Sequence, residues 1–446
     1  MLTPSPPTSD RLLARSLAAV WHPCTQMQHH ESLPLVAVSR ALGCWLYDQQ
    51  GHRYLDAISS WWVNLFGHAN PKINAALTRQ LETLEHAMLA GFTHEPVVAL
   101  SEKLSQYTQQ QLGHCFYASD GASAVEIALK MSFHYWRNSG KPEKTQFVSL
   151  KGSYHGETLG ALSVTDVPLF KDVYAPLLRQ HHTVQSPDAR LGQPTETPAA
   201  YALLAAQDLA TYLAQHHQHT AALILEPLVQ GATGMAMYDP VYLKEAQRLC
   251  QQFSVHLIAD EIMTGFGRCG TFFAYQQADV VPDFLCLSKG ITAGYLPLSV
   301  VLTKDSIYEA FYDERVSRAF LHSHSYTGNP LACRAALASL AIFEEEQVIQ
   351  RNRLLSQKIS HACIPIQAHP RVKHFRHTGM IWAFEVDSKN PLFARTFYQQ
   401  ALAEEILLRP IGTTLYFMPP YIINDEEIHH LTSKTLKLLN ALSPTA

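Results

Sequence analysis

Two hydrophobic rhythms alternate along this chain. From about residue 70 to 330, short runs that are apolar at nearly every position recur between longer stretches whose apolar residues return every three or four positions. The short runs include Gln146-Phe147-Val148-Ser149-Leu150, Ala221-Ala222-Leu223-Ile224-Leu225, Val255 to Ala259, Phe284 to Leu287 and Leu298-Ser299-Val300-Val301-Leu302. A strand with one wet face alternates apolar and polar residues, whereas a strand covered on both faces does not. The runs therefore predict a buried, mainly parallel sheet between two layers of helix, a three-layer α/β domain.

The two ends of the chain follow a different pattern. Trp45-Leu46-Tyr47-Asp48 and Arg53-Tyr54-Leu55-Asp56 flank the turn-rich Gln49-Gln50-Gly51-His52 and predict a β-hairpin. After Asn329-Pro330 a helix is expected as far as Glu346, then a strand from Met380 to Val386, another helix, and the short run Ile406-Leu407-Leu408-Arg409. This predicts a smaller α+β domain built from both termini, residues 21–65 and 331–446, around a large domain at 66–330. Residues 1–20, rich in Pro, Ser and Thr at their start, read as a mobile arm that turns weakly helical. Segment 181–200, rich in His, Gln, Pro and Thr, reads as a surface loop.

Composition narrows the class. With 446 residues, 47% of them apolar and 16% charged, the chain can bury a large core. A formal charge of -4 gives no footprint for nucleic acid, and no basic run suits an anionic membrane. No apolar run approaches the roughly 20 residues of a membrane helix. Met1-Leu2-Thr3-Pro4 lacks the basic-then-apolar order of a secretory signal. The 8 cysteines are scattered without a Cys-x-x-Cys pair, which points to reduced thiols in a cytoplasm. The 24 histidines include the adjacent pairs His29-His30, His181-His182, His216-His217 and His429-His430. Neighbours point apart on a helix or a strand, and zinc-ligand spacing is missing, so structural or surface roles and no metal are expected.

Candidate chemistry appears where two of the buried runs end in charge. Val255 to Ala259 leads into Asp260-Glu261 and then Thr264-Gly265-Phe266-Gly267-Arg268-Cys269-Gly270, and Phe284 to Ser288 leads into Lys289-Gly290. A carboxylate and a lysine at strand ends suit a pyridine-aldehyde cofactor. The carboxylate keeps the ring nitrogen protonated, and the lysine condenses with the aldehyde and moves protons. Separately they read as a helix cap and a solvated loop end; together they favour chemistry. Upstream, Ser119-Asp120-Gly121-Ala122-Ser123 opens a helical pattern and offers backbone N–H groups to a phosphate. Plain capping explains that turn equally well in isolation. Gly152-Ser153-Tyr154-His155-Gly156 presents an aromatic ring after a strand, a stacking surface in one reading and an ordinary turn in the other. The loop His322-Ser323-His324-Ser325-Tyr326-Thr327-Gly328 is rich in hydroxyls.

Asp260 to Gly270 closely resembles the signature of class III (ω-type) aminotransferases, enzymes of fold type I, and the resemblance runs from about residue 20 to 435. It implies a pyridoxal 5'-phosphate enzyme acting on small molecules, with Lys289, Asp260 and Tyr154 as catalytic residues. Asp120, Gly121, Ala122, Tyr154, Asp260, Lys289, His324 and Ser325 are implied around the cofactor. The resemblance also implies a homodimer with shared active sites, since in this family the 322–330 loop reaches the neighbouring subunit's cofactor.

On the substrate side, Trp21-His22-Pro23-Cys24-Thr25-Gln26-Met27, Ser59-Ser60-Trp61-Trp62, Leu408-Arg409-Pro410 and Tyr416 to Tyr421 resemble the members that serve biotin biosynthesis. Those members pass the amino group of S-adenosylmethionine to a keto amine on a long chain ending in a carboxylate. Cys24, Trp61, Trp62, Tyr154, Lys289, Ser323 and Arg409 are then implied in the substrate pocket. Aromatic faces would take the chain, the sulfonium and the adenine, and Arg409 the carboxylate. On a strand Trp61 and Trp62 would face opposite ways, so at most one need line the pocket, and the resemblance favours Trp61.

Two positions depart from the pattern. Cys24 stands where well-known members carry tyrosine, and it is a weaker donor. His324-Ser325 stands where close relatives carry Pro-Thr, with the hydroxyl kept. Lysine as donor, another ω-aminotransferase, an aminomutase of the same fold, and a non-catalytic module remain alternatives, although a non-catalytic module would not be expected to keep both Asp260 and Lys289.

Overall fold

In the computed structural model, which describes residues 8–33, 35–179 and 181–442, three N-terminal strands form a meander. They are β1 (Val38–Leu42), β2 (Trp45–Asp48) and β3 (Arg53–Asp56), each antiparallel to the next. The expected hairpin is β2–β3, and its turn is held by the Asp48 carboxylate, which accepts the Gln50 and His52 N–H groups at 2.9 Å each. Residues 1–7 of the expected arm lie outside the described residues, and Thr8–Ala19 is a helix.

The chain then lays down β4 (His114–Ala118), β5 (Gln146–Leu150), β6 (His182–Val184), β7 (Thr220–Leu225), the small pair β8 (Val229–Gln230) and β9 (Ala236–Met237), β10 (His256–Asp260), β11 (Phe284–Leu287) and β12 (Ser299–Thr303). Seven of these form one sheet in the order β4-β12-β11-β10-β7-β5-β6. Every residue of β7, β10, β11 and β12 is buried, as their unbroken apolar runs require. Successive residues serve opposite faces. Ile224, Ile258, Phe284 and Val301 pack on Ala124, Ile127 and Ala128 of the helix Gly121–Asn138. Leu223, Leu257, Leu285 and Leu302 belong to the larger core on the other side. This is the expected three-layer α/β architecture.

Two expectations need correction. β12 runs antiparallel to both β11 and β4, although its burial pattern matches that of the parallel strands. Burial on both faces hides strand direction, and residues 288–298 are too few for the crossover helix that a parallel return needs. Segment 181–200 is not simply a loop. It contributes the edge strand β6, parallel to β5, and the first turn of the helix Pro198–His216. A three-residue edge strand reading His-Thr-Val carries no apolar pattern to recognise.

The C-terminal part follows the helix Pro330–Glu345 with β13 (Val372–Thr378), β14 (Ile381–Val386), β15 (Ile406–Leu407) and β16 (Thr414–Phe417). β13, β14 and β16 make a three-stranded antiparallel sheet, while β15 pairs parallel with β3 and ties the two ends of the chain together. β10 and β11 are parallel neighbours in which Asp260 lies opposite Cys286. The two strands therefore deliver their last residues to the same carboxyl edge of the sheet, the usual place for ligands in an open α/β fold.

Candidate active site

Asp260 ends β10 as a buried carboxylate, 4% exposed. Its Oδ1 accepts the Ile262 N–H at 3.1 Å and its Oδ2 accepts from His155 Nδ1 at 2.7 Å. Nε2 of that buried imidazole has no hydrogen-bond partner among the described residues. Lys289 follows β11 with a left-handed backbone, φ +47°, which turns its chain into the cleft. Nζ lies 4.5 Å from the ring centre of Trp62. Burial pushes the Lys289 amine down to about 8, against the opposing pull of Asp260 and, more weakly, Glu226. A carboxylate and a lysine of lowered proton affinity therefore act on one another inside one cleft.

Tyr154 forms another side of the cleft. Its N–H donates to Glu226 Oε2 at 3.0 Å, its hydroxyl to Glu157 Oε1 at 2.8 Å, and its ring meets Phe170 edge-on at 5.4 Å. Burial, then Glu157, push the phenol well above its ordinary value, so it stays protonated. The turn Asp120-Gly121-Ala122 adjoins both motifs. A side chain on Gly121 would press into Ile262, two residues past Asp260, and one on Gly156 would press into Ala122. Asp120 caps the helix Gly121–Asn138 by accepting the Ser123 N–H at 2.9 Å, which leaves the positive end of that helix facing the Asp260 region.

The tryptophan pair is not on a strand. Ser59, Ser60, Trp61 and Trp62 have φ of +52°, +46°, +71° and +74°, a left-handed helical turn closed by Trp62 N–H to Ile58 O at 2.9 Å. This corrects the alternation argument: with helical rather than strand geometry, both indoles reach functional groups. The Trp62 ring faces Lys289, and its Nε1 donates to the Tyr416 hydroxyl at 3.1 Å. The Trp61 ring, 43% exposed, lies under the Arg409 guanidinium at 4.8 Å. Arg409 Nη2 also donates to the Cys24 carbonyl at 3.0 Å, and Cys24 is near enough to Tyr154 to contribute to the rise of its phenol. Cys24, Arg409, Trp61, Trp62 and Lys289 are thus linked as a chain, the two indoles being neighbours in sequence, and Tyr154 lies within electrostatic reach of Cys24.

Ser323, His324 and Ser325 are not part of that chain. Among the described residues, His324 contacts His322 through Nε2 at 3.0 Å and Thr327, while Ser323 and Ser325 are exposed. Sequence reading also passed over three groups: Glu226, Glu157 and the role of His155. Only Glu157 carried a signal, three residues beyond Tyr154; Glu226 accepts the backbone N–H groups of distant Tyr154 and nearby Gly231, a pairing that leaves no side-chain motif.

The donor set fits pyridoxal phosphate. A buried carboxylate for a ring nitrogen, an amine of lowered proton affinity, a helix amino terminus for the phosphate and the Tyr154 ring at the cleft wall occupy one space. The bare glycines at 121 and 156 let the helix start and the Tyr154 turn pack closely against Ile262 and Ala122.

Comparison with known proteins agrees. The family model described as Aminotransferase class-III matches residues 26–439. The adenosylmethionine-8-amino-7-oxononanoate aminotransferase of Helicobacter pylori is 46% identical, over 97% of this chain and 98% of that protein. The protein of that name from Geobacter sulfurreducens is 37% identical over 95% and 96%. The crystal structure of the Methanocaldococcus jannaschii protein of the same name superposes with a TM-score of 0.90 at 33% identity, covering 97% of this chain and 99% of that one. An omega transaminase from Pseudomonas jessenii in complex with PMP gives 0.91 at 27% identity, covering 96% and 97%.

Proposed function

The chain belongs to the class III aminotransferases, and on that premise we propose that it moves the amino group of S-adenosylmethionine to 8-amino-7-oxononanoate, yielding 7,8-diaminononanoate in biotin biosynthesis. It is a pyridoxal-phosphate-dependent transferase. The observation that carries the substrate reading is the span of the tryptophan pair. Trp62 faces the amine of Lys289 and Trp61 faces the guanidinium of Arg409. A molecule with its reacting carbon at Lys289 and a carboxylate at the far end of an aliphatic chain fits that span, with two indole faces along its length.

When bound, pyridoxal phosphate supplies the electron sink and the carrier for the amino group between two half-reactions. Asp260, oriented by His155, would hold the proton of the ring nitrogen, and the amino end of the helix at Gly121 and Ala122 would take the phosphate. Lys289 Nζ would take the proton from the substrate's amine-bearing carbon and pass it on to the cofactor, the net shift a transamination needs, and its lowered proton affinity favours that near neutral pH. Tyr154 would wall the ring and the substrate. Arg409 orients the carboxylate as a bidentate donor once it leaves the Cys24 carbonyl.

The reading includes a cytoplasmic homodimer in which Ser323, His324 and Ser325 serve the neighbouring subunit's site, since they stand apart from this chain's own cluster. It also takes residues 66–330 as the cofactor domain, and 21–65 with 331–446 as the small domain. All eight cysteines are free thiols, which supports a reducing compartment.

The test is a half-reaction. The cofactor-loaded protein is mixed separately with S-adenosylmethionine, lysine and a simple ω-amino acid while the absorbance of the bound cofactor is followed. Conversion to the amine form by S-adenosylmethionine is expected. Conversion by lysine or the ω-amino acid instead would overturn the donor assignment and leave the Lys289 chemistry standing.

A further inference from the structure

Glu226 lies just past the end of β7 and is given no task by the reaction described above. Its carboxylate is buried, 5% exposed, and both oxygens are engaged. Oε2 accepts the Tyr154 N–H at 3.0 Å, and Oε1 accepts the Gly231 N–H at 2.9 Å. The residue is itself fixed, because its carbonyl accepts the Tyr238 hydroxyl at 2.6 Å.

These two N–H groups belong to different walls of the cleft. Tyr154 carries the ring on one wall. Gly231 backs onto the other, where any side chain at that position would come within 3.2 Å of the Trp62 ring and of the Met263 methyl. Glu226 also lies within electrostatic reach of Lys289, Asp260 and His155.

We propose that Glu226 is a positioning residue whose single carboxylate clamps the Tyr154 wall to the Gly231–Trp62 wall and so sets the width of the slot in which Lys289 works. The inference rests on the aminotransferase reading. A glutamine of the same size cannot replace the clamp: its one carbonyl oxygen accepts one N–H, while its amide donor confronts the other.

Two variants test it as holoenzymes. Glu226→Gln opens the clamp from within, and Gly231→Ala pushes the Trp62 wall from behind with Glu226 intact. Both are expected to lower kcat/KM about 10- to 100-fold, mostly in kcat, as small misplacements in a site do. Both should also weaken the induced circular dichroism of the bound cofactor, which reports how rigidly the walls hold it, with Tm lowered by only a few degrees. A purely structural role predicts something else: a large fall in Tm with normal kcat and normal dichroism in the fraction that stays folded, and that result overturns the proposal. If Glu226→Gln does not fold, Gly231→Ala decides alone, and unchanged kcat and dichroism in it overturn the proposal. Wild-type protein is run alongside. If it binds the cofactor yet responds to no amine, the aminotransferase reading fails, whereas the dichroism still reports on the clamp.

Discussion

In the proposed reaction Lys289 has to serve as a cation-forming amine and as a base, and its surroundings decide the balance. An ordinary lysine titrates near 10.5, whereas burial brings this one to about 8. The neutral amine is the base, so the rate constant of the donor half-reaction should climb as pH rises through about 8 and level off above it. Stopped-flow traces across that range check this, and a flat profile would remove Lys289 from the proton transfer. Arg409 makes a second, separable prediction. Arg409→Met keeps the bulk over Trp61 and removes the carboxylate's partner. It should lower kcat/KM for the keto amine acceptor by about 10- to 100-fold, from the roughly 1.5–3 kcal/mol of a hydrogen bond to a charged group. Short amines without a distal carboxylate should be converted as before. Asp260 and Lys289 were legible in the sequence as positions because each terminates a recognisable apolar run, and the Asp120 turn because it opens a helical one. Glu226 was not, because a carboxylate that receives backbone N–H groups leaves no spacing between side chains to find.

At the scale of elements, the left-handed turn Ser59–Trp62 is the least legible and the most consequential. Each non-glycine residue held there costs roughly 1–2 kcal/mol, so something must hold it. Asp56, fully buried at the end of β3, accepts the Ser60 N–H at 2.8 Å, the Ser60 hydroxyl at 2.7 Å and His68 Nε2 at 3.0 Å. Ser59 Oγ adds a bond to the Met418 carbonyl at 2.7 Å. Asp56→Ala should therefore destabilise the protein by roughly 2–4 kcal/mol, because three donors lose their acceptor. It should also raise KM for the acceptor, since Trp61 and Trp62 lose their placement. Denaturant unfolding paired with kinetics checks it, and a stable variant with an unchanged KM would mean the turn holds without its anchor. Sequence cannot announce such a turn when no glycine marks it; Ser-Ser-Trp-Trp reads as strand by residue preference. The direction of β12 escaped for a related reason. A strand buried on both faces looks the same read in either direction, and only the short connection from Lys289 excludes a parallel return.

At the scale of the whole molecule, the hydroxyl loop is the piece out of place. Lys130 Nζ meets His322 Nδ1 at 2.8 Å, so the 322–325 loop is held along the outer flank of the helix Gly121–Asn138, while the Asp260 cleft lies at the amino end of that helix. Around one groove with Lys130, Leu159, Leu177 and Leu321 are 53%, 66% and 77% exposed, far more apolar surface than a lone chain benefits from showing to water. A two-fold interface would cover such surface and could carry each loop to its neighbour's cleft. That arrangement has a consequence that a self-contained site lacks. Lys289→Ala removes the base from a chain but leaves its loop whole, and Ser325→Asp sets a negative charge where the partner's phosphate would lie but leaves Lys289 whole. Each variant alone should be inactive. Unfolded, mixed in equal amounts and refolded, they should form hybrids in which one site receives Lys289 from one chain and the loop from the other, both intact. With random pairing, half the dimers are hybrids with one good site in two, so activity should return to about a quarter of wild type. If all the residues of a site came from one chain, no hybrid could contain a good site and mixing would restore nothing. The size of the recovered activity, rather than the mass of the particle, therefore decides whether the sites are shared.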